Sequence, residues 1–155
     1  MSPNSNPALA VGLLSALLMA IALASNSAMA ENPRMYPSAK HPEYPFSEAV
    51  AYNEVLYLSG EIGADKSGQL VPGGIGPETK QVMNNIKATL ARHQLDMSDI
   101  IKCTVFLADI AQWPTFNRVY AGYFNKGKYP ARSALAASGL ALGAAVEVEC
   151  LAALN

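Results

Sequence analysis

All eleven basic and twelve acidic side chains of this 155-residue chain fall after Ala30, so the folded domain must be built from residues 31–155. The first thirty residues carry no charged side chain, run apolar from Ala8 to Ala24, and end in Ser27-Ala28-Met29-Ala30 ahead of Glu31. An apolar run at the short edge of what spans a bilayer, followed by the small residues of an Ala-x-Ala site, predicts a signal peptide over residues 1–30 with cleavage after Ala30. The segment Met1–Pro7 lacks Lys and Arg, and a retained N-terminal membrane anchor is the alternative. No Cys lies near the run, which excludes a lipoprotein thioether. The expectation is a periplasmic or secreted protein with no stable membrane association after cleavage.

What remains is enough chain for one domain with its own core. The formal net charge of −1 offers no basic stripe, so nucleic acid is not an expected partner. Cys103 and Cys150 could bridge in an oxidising compartment. Both fall within predicted strands, where Cys usually serves as a small buried apolar residue, and unpaired burial is the expectation. His41 and His93 lie far from both cysteines and from each other in sequence, so no metal site is predicted.

The residues predict an element order along 31–155. Four prolines between Glu31 and Pro45 give an irregular or short-stranded lead-in. Residues 48–52 and 55–59 are short β-type runs around Asn53-Glu54, the layout of a tight hairpin. The glycine-rich stretch 63–76 reads as a loop. Pro77-Glu78 suits a first helical turn, and Val82, Met83, Ile86 and Leu90 recur at helical spacing, giving a helix over 77–93. Residues 100–107 form a buried strand. Trp113, Phe116, Tyr120, Tyr123 and Phe124 define a second helix near 112–125. A strand follows to about Ala137, then a loop marked by Ser138-Gly139 and Gly143, and a last strand over 146–154. The fold class is α+β, a mixed sheet with two helices packed on one face. The other face needs cover, which another copy of the same sheet supplies most simply, so a homo-oligomer is expected.

Candidate chemistry concentrates at the C-terminal end. Arg132 enters a weakly polar strand, where a guanidinium needs an acidic partner, and its planar fork matches a carboxylate. The alternatives there are an intramolecular salt bridge or an exposed strand-end Arg. In Val146-Glu147-Val148-Glu149-Cys150 the alternation puts both glutamates on one face, either as a solvated face or as a proton acceptor at Glu147. The loop 71–76 lacks the Lys-Ser/Thr of a P-loop and reads as a turn. Ser59-Gly60 either exposes backbone groups to a site or is an ordinary strand end, and Asn117 lies on the aromatic-striped helix, reaching into a site or facing water. Gly-x-Ser-x-Gly, His-Glu-x-x-His and Cys-x-x-Cys are all absent, which removes serine hydrolase, zinc hydrolase and thioredoxin-like readings.

Tyr129-Pro130-Ala131-Arg132-Ser133 followed by Val146-Glu147-Val148-Glu149 resembles the RidA (YjgF) family of enamine/imine deaminases. The resemblance extends through Val55-Leu56-Tyr57-Leu58-Ser59-Gly60, Met83-Asn84-Asn85-Ile86, Lys102-Cys103-Thr104-Val105-Phe106-Leu107 and Phe116-Asn117-Arg118-Val119-Tyr120, covering about Tyr44 to Leu154. It implies a chorismate-mutase-like fold, a homotrimer with clefts between subunits, and a small 2-imino or 2-oxo acid as ligand. By resemblance, Arg132 binds the substrate carboxylate and Glu147 positions or activates a water. Backbone groups at Gly60 and Ala134 orient ligand and water, and Asn117 belongs to the same cleft. Two positions depart from the family pattern: a Cys common in members is Ala134, and the cleft Tyr is Phe46, which lacks the hydroxyl. The implied reaction is hydrolysis of a 2-enamino or 2-imino acid of the 2-aminoacrylate type to a 2-oxo acid and ammonia, with no cofactor. The alternatives are a non-catalytic trimer that binds small carboxylates, and an endoribonuclease, which fits poorly with the charge.

Overall fold

The structure, a computed structural model, describes residues 32–38 and 41–154. The signal peptide predicted over residues 1–30 and its cleavage after Ala30 lie outside the described residues. Chain order runs β1 (Arg34–Pro37), β2 (Ser47–Tyr52), β3 (Val55–Leu58), β4 (Glu61–Ile62), α1 (Ile75–Arg92), β5 (Ile100–Leu107), α2 (Trp113–Ala121), β6 (Ala131–Ala136) and β7 (Val146–Ala153). One seven-stranded sheet has the order β1-β2-β3-β7-β5-β6, with the two-residue β4 also pairing β7. All pairs are antiparallel except β5 with β6, which α2 joins as a parallel crossover. The last strand to appear in sequence therefore lies in the middle of the sheet.

Alternation decides which face is covered. On β7, Val146, Val148, Cys150 and Ala152 are buried. Cys103, Val105 and Leu107 of β5 and Leu56 and Leu58 of β3 join them. Over this face lie Val82, Met83, Ile86 and Leu90 of α1 and Phe116 and Tyr120 of α2, all but the last fully buried. Each such side chain contributes about 1.5–3 kcal/mol on removal from water. On the opposite face Tyr57 and Leu135 are 43% and 45% exposed, leaving apolar surface without a second layer in the protomer.

Element ends follow local chemistry. The hairpin turns at Asn53, whose φ of 51° is a conformation Asn tolerates. Helix α1 begins at Ile75 rather than Pro77. Its early N–H groups have no intrahelical partner, so Pro77 loses nothing, and the first helical bond runs from Glu78 N–H to Gly74 C=O at 3.0 Å. The buried Glu78 carboxylate accepts from Ala145 N–H at 2.7 Å, fixing the approach to β7. Helix α2 ends at Ala121, short of the expected Asn125, because the chain tightens into i→i−3 bonds at Tyr123 and Phe124. The Tyr123 hydroxyl then reaches α1, 3.0 Å from Lys80 C=O and 2.9 Å from Asn84 Oδ1.

Unpaired burial of the cysteines is corrected. Cys103 and Cys150 are directly opposite in the antiparallel β5–β7 pair, on the helix-covered face, with Cα atoms 4.1 Å apart, and they form a disulfide. The bridge joins positions 47 residues apart, so it restricts the unfolded chain substantially. A Cys103→Ala/Cys150→Ala variant is expected to lose about 2–4 kcal/mol of stability in urea unfolding, as is the reduced protein. Coincident unfolding midpoints for oxidised and reduced protein would show that the bridge contributes nothing.

Candidate active site

Arg132 is the second residue of β6, the edge strand. Its register partner on β5 is Cys103, which places it on the helix-covered face. There the guanidinium carbon sits 4.7 Å from the Tyr120 ring centroid, 5.5 Å from Phe116 and 5.8 Å from Trp113. The three rings recur along one side of α2, so a single helical stripe makes the seat. Burial pushes the Tyr120 phenol up to about 12, with Arg132 opposing, so Tyr120 stays neutral and offers a ring face rather than a counter-charge. Among the described residues Arg132 makes no ion pair; the carboxylate pairs are His41–Glu43 and Arg92–Glu48. Ring contacts hold the guanidinium while leaving its N–H fork for an acid from outside the protomer. Beside it opens a cleft of about 430 Å³ lined by Ile110, Ala111, Trp113, Pro114, Arg132 and Ala134, in which the guanidinium is the one charged group.

Glu147 is the second residue of β7, opposite Ile62 on β4 and Phe106 on β5. Its neighbours Val146 and Val148 turn to the core, so Glu147 turns to the open face. Its side chain lies against Gly60, in the break between β3 and β4. A Cβ at Gly60 would come within 3.0 Å of Glu147 Cδ and nearer still to Oε1. Only a residue without a side chain leaves this space. The break is pinned by Ser59, whose N–H donates to Glu48 C=O at 3.0 Å and whose hydroxyl donates to Ser47 C=O at 2.6 Å.

The site residues expected from sequence thus separate into two groups. Arg132 and Ala134 share the cleft on the covered face, while Gly60 and Glu147 share a position on the open face. Between β6 and β7 stands β5, so the two strands are about 10 Å apart, with their side chains on opposite sides of the sheet. One protomer does not bring Arg132 and Glu147 together. Asn117, on α2, has its Oδ1 buried without a hydrogen-bond partner and does not line the cleft. Phe46 lies in the turn before β2, 53% exposed with its ring 5.2 Å from Tyr44, and does not line the cleft either. Glu149 is exposed on the Glu147 face. Of residues 71–76, Gly73 and Gly74 have positive φ in the turn before α1, while Ile75 and Gly76 already belong to that helix.

Sequence reasoning missed the aromatic seat and the wall formed by Ile110 and Ala111. A signal existed: Trp113, Phe116 and Tyr120 share a helix face immediately before the strand that carries the unpaired Arg. Among the described residues no three His, Cys, Asp or Glu side chains lie close enough together to hold a metal ion.

The family model described as Endoribonuclease L-PSP matches residues 37–154. The 2-iminobutanoate/2-iminopropanoate deaminase of Bos taurus is 43% identical over 109 residues, covering 70% of this chain and 79% of the relative. The protein of the same name from Homo sapiens is 40% identical over 122 residues, 77% of this chain and 88% of the relative. Among solved structures, a member of the Rid protein family from Yersinia pestis superposes with a TM-score of 0.72 at 35% identity, covering 79% of this chain and 99% of its own.

Proposed function

Because the chain belongs to the RidA (YjgF) family, we propose that it hydrolyses 2-imino acids, formed from 2-enamino acids such as 2-aminoacrylate, to 2-oxo acids and ammonia. The observation that carries this reading is Arg132, held on three ring faces beside a cleft with no acid of its own to pair with. A ligand carboxylate completes that arrangement in bidentate geometry. The anchor fixes C2 of the substrate, and an imine carbon is already electrophilic, so the protein must chiefly orient it and supply a water. Glu147 takes a proton from that water as its oxygen bonds to C2, giving a carbinolamine. The proton passes to nitrogen, Glu147 takes the hydroxyl proton as the C2–O double bond forms, the C–N bond breaks, and ammonia leaves a 2-oxo acid.

The two halves of this chemistry lie on opposite faces of one sheet, and the assembly must reconcile them. The reading is a homotrimer in which the Arg132 cleft of one protomer meets the Gly60–Glu147 face of the next. The uncovered face with Tyr57 and Leu135 supports it, since association removes that apolar surface from water. The buried disulfide supports work in an oxidising compartment, in keeping with an exported chain whose leader is removed after Ala30. Net charge −1 argues against the RNA cleavage named in the family description, because phosphate binding draws on a basic surface.

The test generates 2-aminoacrylate in situ and follows pyruvate and ammonia with the purified protein. Acceleration over buffer is expected. Carboxylate binding without acceleration would instead make this a binding module of the same fold. Gly60→Ala probes the second half of the site: the new Cβ must push the Glu147 carboxylate aside, and that flexible tip moves cheaply. Activity is expected to fall at least about tenfold while the unfolding free energy stays within about 0.5 kcal/mol of wild type. Wild-type turnover in Gly60→Ala would remove Glu147 from its assigned place.

A further inference from the structure

The cleft beside Arg132 is larger and more apolar than a three-carbon acid requires. Apart from the guanidinium its lining side chains are Ile110, Ala111, Trp113, Pro114 and Ala134, whose one polar group is the Trp113 indole N–H. Ile110 is 51% exposed and Trp113 41% exposed, so both present apolar surface to whatever occupies the space. The wall is built by the short 3₁₀ turn Ile110–Gln112 running into α2, and Asp109 caps that turn by accepting from Ala111 N–H at 2.9 Å. Pro114 in the first turn of α2 costs no hydrogen bond and fixes the backbone there. This is a shaped surface on regular elements, next to the anchor that would hold a carboxylate.

We propose that this wall is the side-chain pocket of the site and that the preferred substrates are 2-imino acids with branched or aromatic apolar side chains, rather than the three-carbon imine. The proposal rests on the deaminase reading above for its chemistry, and on the cleft alone for its specificity. With the carboxylate on Arg132, the substituent at C3 and beyond extends along Ile110, Trp113 and Ala134. A methyl group leaves most of that surface wet, whereas an isobutyl or benzyl group covers it. A hydrophobic pocket discriminates by about tenfold or more per methylene it accommodates, less where the wall stays partly open. A charged side chain finds no counter-charge on this wall beyond the anchor itself and is disfavoured by desolvation.

The test compares kcat/KM for 2-iminopropanoate and 2-imino-4-methylpentanoate, each generated in situ by an amino-acid oxidase, with wild type and Ile110→Ala. Wild type is expected to favour the branched substrate at least about tenfold, and Ile110→Ala to lower that ratio at least about threefold, the loss falling on the branched substrate. Ile110 is exposed and outside the buried core, so the truncation probes the wall rather than the fold. Equal kcat/KM for the two imines in wild type, or an unchanged ratio in Ile110→Ala, would overturn the proposal. A second readout does not need turnover: Trp113 is the chain's one tryptophan, and its fluorescence reports binding of the two product acids. If neither imine is accelerated, the deaminase reading fails. Tighter binding of 4-methyl-2-oxopentanoate than of pyruvate would still uphold the pocket, and equal binding would overturn it.

Discussion

Arg132→Ala is expected to lower kcat/KM for 2-imino acids by about 10²–10⁴-fold. The magnitude follows from two charge-assisted hydrogen bonds to a carboxylate, each contributing about 1.5–3 kcal/mol when the alternative is an unpaired ligand charge. The loss should appear mainly as a raised KM, because the anchor binds ground state and transition state alike, with a smaller fall in kcat from poorer orientation of C2. Arg132→Lys is expected to recover only part of this, since an ammonium lacks the planar fork and sits less well over the rings of Trp113, Phe116 and Tyr120. Neither variant should unfold the protein, because Arg132 makes no ion pair among the described residues. An Arg132→Ala protein with wild-type KM would remove the carboxylate anchor from this position.

Glu147→Gln is expected to act on the other kinetic parameter. Loss of a positioned proton acceptor typically costs 10²–10⁴-fold in rate, and here it should fall on kcat with KM almost unchanged, because Glu147 meets the water rather than the carboxylate. The amide is close to isosteric, so the contact with Gly60 and the strand register survive. A kcat within a few-fold of wild type would mean that water attacks without help from this residue. The contrast between the two variants, KM for one and kcat for the other, separates anchor from base.

Much of this arrangement was legible in sequence because it depends on local periodicity. Val146-Glu147-Val148-Glu149-Cys150 placed Glu147 away from the core, and the structure agrees. The stripe Val82, Met83, Ile86 and Leu90 gave α1 its buried face. The hairpin at Asn53-Glu54 followed from two short runs and a turn pair. What escaped depends on which strands meet and in what register. Cys103 and Cys150 pair because β7 returns to lie beside β5, and a one-residue slip would turn them to opposite faces. The two-residue β4 is too short to show a period. Trp113, Phe116 and Tyr120 have the spacing of any core stripe, and only the crossover that lays β6 beneath α2 turns them into a seat for Arg132. The separation of Arg132 from Glu147 onto opposite faces is likewise a property of the sheet, invisible to motif spacing.

That separation makes the shared site the central claim. The most direct measurement mixes unfolded Arg132→Ala and Glu147→Gln chains in equal amounts, refolds them together, confirms mixed assemblies by native mass spectrometry, and assays imine hydrolysis. At substrate well below KM each variant alone is expected to be nearly inactive. If every site takes Arg132 from one protomer and Glu147 from the next, random assembly restores an intact pair at about a quarter of the sites, and activity should recover to about a quarter of wild type. Mixed assemblies no more active than the two variants refolded separately would contradict the account, because the anchor and the base would then have to come from the same chain.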